Sequence, residues 1–190
     1  MHAEPAPASA LAKELGDQLT AMKAADHAAS ARANSPDPAE QLAWRRLTAR
    51  HGDRLRALLE AHGHWPTSRE VGEEGVLGAW LVAQHADRQL DVQRLALRLL
   101  EQAVEDGTAG QEGPARLAFL RDRLHVNAGL PQRYGTQIQG MSDAGEPILW
   151  PVEDPERMDT YRSEVGIPPF AEYVARFLPE KERGQVAPEK

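Results

Sequence analysis

The sequence predicts an all-α fold, a helical bundle or irregular helical array of about seven helices carrying one small β-hairpin. Three observations lead there. Apolar residues recur at steps of three and four along most of the chain, most cleanly at Val92, Leu95, Ala96, Leu99, Leu100 and Ala103. Proline- and glycine-containing stretches such as "NSPDPAEQ" and "EDGTAGQEG" interrupt that period. One segment, "YGTQIQGMSDAGEPILWP", departs from it and offers two short extended runs around the turn residues "SDAG".

At 190 residues and 41% apolar composition the chain builds one core of ordinary size, so a single helical domain over 37–178 is expected. Residues 1–36 read as a loose start followed by an Ala-rich peripheral helix, and 179–190 as a flexible tail. The net charge of −7 comes without a Lys/Arg stripe, which argues against nucleic acid as a partner. No run reaches the ~18 apolar residues that cross a bilayer, and the first residues lack the order of a signal peptide, so a soluble cytoplasmic protein is expected. Cysteine is absent, which excludes disulfides and thiolate chemistry. The Ala, Arg and Leu content has a bacterial flavour.

The first helix carries Leu11, Leu15, Leu19 and Met22 on a thin apolar face, suited to packing peripherally or pairing with a second copy of the chain. Asp37 as cap and Pro38 in the first turn start a second helix, whose inward line is Trp44, Leu47, His51, Leu55, Leu58 and His62. After "GHWPTS", with Ser68 capping a short turn, a third helix runs from about Gly75 to Ala86 and is apolar nearly all round, which places it centrally. The fourth holds the amphipathic pattern given above. The fifth spans about 114 to 128, with Asp122 on one of its two apolar lines. The hairpin at about 134–152 contains Pro147 and Pro151, which keep it out of a larger sheet. Asp154 caps a sixth helix ending at Gly166, and a seventh carries Phe170, Tyr173, Val174, Phe177 and Leu178.

Polar side chains fall on or beside these buried lines: His51, His62, His85, Asp87, Asp122 and Arg162. An unpartnered polar group inside costs roughly 1 to 3 kcal/mol, so such groups are expected to meet one another. His85 ends the third helix in "WLVAQHAD", where the helix dipole favours a cation, and Asp87 is placed to orient it. The bland reading gives His51 and His62 as satisfied core histidines, and Asp122 as a tie to Arg123 or Arg162. No cofactor is expected. A divalent metal is the minor alternative, with the H-x-H pair His62 and His64 completed by His85, Asp87 or Asp122. No G-x-S-x-G elbow and no P-loop is present, which leaves general acid/base chemistry as the enzymatic option.

The blocks "GHWPTS…VGEEG…AWLVAQHAD", "LRDRL…PQRYGTQI" and "PVEDPERMDTYRSEVGIPPFAEY" resemble an uncharacterised bacterial family of unknown function over residues 60 to 178. The positions that carry the resemblance are Trp65, Pro66, Gln84, His85, Asp87, Asp122, Arg123, Gln132, Tyr134, Gly135, Thr136, Gln137, Glu153, Asp154, Pro155, Arg162 and Gly166. The resemblance implies a mainly helical fold and brings no activity.

Two functional readings follow. In the first, the chain is a small enzyme acting on a small molecule or peptide. His85, Asp87 and Asp122 are then catalytic, and Gln84, Arg123, Tyr134, Thr136, Gln137 and Arg162 bind substrate in one shared cleft. In the second, it is a binding or scaffold module whose buried polar network is structural.

Overall fold

Over residues 8–142 and 146–175, which the computed structural model describes, the apolar spacing becomes seven α-helices and one two-stranded antiparallel sheet. The chain divides between Gly113 and Pro114 into two compact units. The first contains α1 (Ala8–Ala29), a short 3-10 turn (Ser30–Asn34), α2 (Pro38–His62), α3 (Ser68–His85) and α4 (Leu90–Glu105). The second contains α5 (Gly113–Asn127), β1 (Ile138–Met141), β2 (Pro147–Leu149), α6 (Met158–Glu164) and α7 (Phe170–Ala175).

Local signals set the helix ends in the first unit. The Asp37 carboxylate accepts the Ala39 N–H at 2.8 Å, Pro38 opens α2, and Gly63 closes it with φ 82°, a left-handed conformation that favours glycine. Thr67, not Ser68, caps α3: the Glu70 carboxylate reaches back to accept the Thr67 N–H at 2.9 Å and the Thr67 hydroxyl at 2.7 Å. Gly72 then breaks the helix with φ 71° and ψ 165°, so the first turn of α3 stands apart from its long apolar body.

That apolar body needs cover on every side, and α1 supplies one wall. α1 packs along α3 and buries Leu15, Leu19, Met22 and Ala29. Two glycines permit the close approach. A Cβ on Gly78 would lie 2.3 Å from the Leu19 carbonyl oxygen, and one on Gly16 would lie 2.8 Å from that of Val71. Alanine is the better helix former by about 0.5–1 kcal/mol, but here its methyl meets backbone that cannot move aside without repacking. Gly78→Ala is therefore expected to lower stability by about 1 to 2 kcal/mol net, read as a reduced urea midpoint with unchanged slope.

On α2 the deepest line runs through Thr48, Gly52, Leu55 and Leu59, rotated by about one residue from the predicted line. Trp44, Leu47, His51, Leu58 and His62 consequently sit half-buried at its border. α4 buries Val92, Ala96, Leu99, Leu100 and Ala103 as its spacing predicts.

In the second unit the hairpin is a two-stranded ribbon, with Ile138 opposite Leu149, Met141 opposite Pro147, and a bulge between Ile138 and Gly140. Most of its "SDAG" turn lies outside the described residues, as do Phe177 and Leu178 of the seventh helix. Asp154 accepts the Arg157 N–H at 3.3 Å in a turn that precedes α6, so this helix starts later than its sequence signal.

Candidate functional site

The apolar stripe of α1 continues past Leu15, Leu19 and Met22 to Asp26, a carboxylate at a position spaced for a hydrophobe. Asp26 is 1% exposed and faces two imidazoles. His51, from the middle of α2, places Nδ1 2.5 Å from Oδ1, and His85, the last residue of α3, places Nδ1 2.8 Å from Oδ2. Each oxygen thus accepts one ring N–H, and three helices converge on a single carboxylate. Burial acts to raise the Asp26 pKa, but hydrogen bonds from His51 and His85 and their charges outweigh it and hold the carboxyl below its ordinary value.

Hydrogen bonding at Nδ1 fixes the tautomer of a neutral imidazole and leaves Nε2 as its basic nitrogen. Both rings keep some exposure, 14% at the His51 side chain and 28% at His85, against 2% for Asp26. The Trp44 ring stands edge-on to His85 with centroids 5.3 Å apart and limits its rotation. Gln84, one residue before His85, is buried, and its Nε2 has no hydrogen-bond partner among the described residues.

The expected orienter of His85 is corrected by this geometry. Asp87 lies exposed beyond the C-terminus of α3, and the carboxylate at His85 Nδ1 comes from α1 instead. His51, read from the sequence as a core histidine, is the second partner of the same carboxylate. Asp26 was missed, although its place four residues after Met22 on the helical stripe was a usable signal.

The remaining predicted site residues belong to the second unit, where they form an internal network. Asp122 on α5 is fully buried. It accepts N–H groups from Arg133 (2.8 Å), Tyr134 (3.1 Å) and Thr136 (3.1 Å) and the Thr136 hydroxyl (3.0 Å). These are the backbone donors of a loop with no ladder of its own, in place of the arginine tie read from the sequence. Burial pushes the Asp122 carboxyl above its ordinary value, against the pull of those amides.

The other polar groups close the network. Gln132 accepts the Gln137 N–H at 2.8 Å and donates to the carbonyls of Gln137 and Trp150 at 2.9 and 3.0 Å. Gln137 donates to the Thr136 hydroxyl at 3.0 Å, and its side-chain Oε1 accepts from Arg123 at 2.9 Å. The fully buried Arg162 donates to the carbonyls of Tyr134 (2.6 Å) and Pro168 (2.7 Å), with its guanidinium 5.1 Å from the Tyr173 ring centroid. Tyr134, Thr136, Gln137 and Arg162 therefore hold the loop where the sequence expected them to line a pocket.

No helix among the described residues is long and apolar enough to cross a membrane. No curated protein and no solved structure matches this chain. Residues 13–184 match the Family of unknown function (DUF6624), a span that takes in Asp26, His51 and His85 as well as the Asp122 loop. The chain belongs to that family.

Proposed function

We propose that the chain is an acid/base enzyme acting on a small molecule or peptide, with His51 and His85 as the proton carriers and Asp26 as the group that orients both. The observation that carries this reading is one buried carboxylate accepting Nδ1–H from two partly exposed imidazoles. With both Nε2 atoms left basic, one ring can take a proton from an attacking hydroxyl or water while the other, as imidazolium, gives one to a leaving group. Asp26 stabilises whichever ring carries the charge. Hydrolysis and group transfer use this exchange, and in an elimination the same base takes a substrate C–H proton while the acid protonates the leaving group. The same proposal includes a bacterial, cytoplasmic setting and a substrate other than nucleic acid.

The scaffold reading draws its support from the second unit, whose polar groups satisfy one another around Asp122. Turnover of chromogenic esters, phosphodiesters and peptides by wild type, His51→Ala and His85→Ala separates the two. The enzyme reading expects each variant to lose about 10²- to 10⁴-fold in kcat while its circular dichroism is retained. Undiminished turnover in both variants would remove the catalytic role.

A further inference from the structure

A second histidine cluster lies at the C-terminal end of α2, where the loop "HGHWPTSRE" turns into α3. His62 ends α2, and the side chains of His64 and Glu70 converge on it. His62 Nε2 is 3.6 Å from Glu70 Oε2, His64 Nε2 is 3.5 Å from Glu70 Oε1, and the two rings lie 4.0 Å apart. One ligating atom from each of the three residues falls within 4.8 Å of the others.

The hydrogen bonds around the cluster leave its inner atoms short of donors. His64 Nδ1 meets the Trp65 carbonyl at 3.0 Å, which must be an N–H donation, so its neutral ring turns an Nε2 lone pair toward the carboxylate. His62 Nε2 is buried and has no hydrogen-bond partner among the described residues. Glu70 uses Oε2 for both Thr67 contacts, which leaves Oε1 available. Three ligating groups thus lie together, and with the His62 ring in its Nδ1–H tautomer a cation accepting all three satisfies them at once.

We propose that His62 Nε2, His64 Nε2 and the Glu70 carboxylate form a binding site for a divalent metal ion of the zinc type. Two imidazoles and a carboxylate are a donor set that zinc takes in sites with an open fourth position. Ligands about 2.0–2.1 Å from a tetrahedral ion lie about 3.3 Å from each other; the 3.5 Å from His64 Nε2 to Glu70 Oε1 is already close to that, and the set as a whole, within 4.8 Å, closes by side-chain movement. His64, whose side chain is 55% exposed, has room to make that move. The ion would tie the end of α2 to the capped start of α3. A groove of about 520 Å³, walled by Leu11, Leu15 and Leu58, borders His62 and Glu70. This site is separate from the Asp26 pair and does not rest on the proposal made for it.

Tag-free full-length protein, stripped with EDTA, is titrated with zinc chloride by calorimetry and with cobalt chloride by visible absorption. The proposal expects one zinc per chain and the d–d bands of low-coordinate cobalt. His64→Ala should weaken zinc binding at least about tenfold. Glu70→Gln should weaken it as well while keeping the acceptor that the α3 cap uses. His85→Ala should bind zinc as wild type does. Absence of saturable zinc binding, wild-type affinity in His64→Ala, or loss of binding in His85→Ala would each overturn it.

Discussion

Replacing Asp26 with alanine is expected to destabilise the first unit by about 3 to 5 kcal/mol near neutral pH, because it strips both imidazoles of their partner and empties a buried position between three helices. Trp44, Trp65 and Trp80 all lie in that unit, so fluorescence-detected urea unfolding reports it. Asp26→Asn should cost less, since it keeps the shape and one acceptor, and its deficit should depend on pH. The Asp26 carboxyl is held below its ordinary value of 3.8 in the folded state. Its contribution is then fully present above that value and is lost as pH falls through the lower, folded one. Wild type and Asp26→Asn should differ most above about pH 5 and converge in strong acid. A constant difference across that range would mean that the carboxylate charge is not what holds the histidines.

A loss of similar size is expected in the second unit from Asp122→Ala. Three backbone N–H groups and a hydroxyl would lose their acceptor at once, at about 1 to 3 kcal/mol for each group that water cannot reach. A total of about 4 kcal/mol follows if water relieves part of the deficit. Amide exchange should localise it: Arg133, Tyr134 and Thr136 lose protection first, while α2 and α3 keep theirs. Asp122→Asn offers no full rescue, because its NH2 group turns two donors on some of those amides. Retention of the wild-type unfolding midpoint in Asp122→Ala would refute the structural role given to this loop.

Much of the architecture was legible in the sequence because helix periodicity, caps and breakers are local. Asp37, Pro38 and Gly63 act as their chemistry dictates, and Pro147 sits in a two-stranded ribbon. The candidate site was legible in part. His85 stood out because a buried helix ended in polar residues, but its partner was sought two positions away along the chain. The real partner, Asp26, is 59 residues distant and reaches His85 only because Gly16 and Gly78 let α1 and α3 touch. No spacing rule within one helix carries that information, although an aspartate on the α1 stripe was a visible anomaly. The polar residues from Asp122 to Gln137 were recognised as a group, but their type alone did not tell a pocket wall from a loop supplying its own hydrogen bonds. The difference lies in backbone donors, which every residue has and no motif displays.

Long-range proton–nitrogen correlation spectra of the imidazoles in their neutral form test the Asp26 site most directly. Both His51 and His85 should carry their proton on Nδ1, with Nε2 as the bare nitrogen, and at least one ring should change tautomer in Asp26→Asn. A ring of either histidine found protonated on Nε2 in the wild type, or two rings indifferent to the loss of the carboxylate, would contradict a pair of bases held by Asp26.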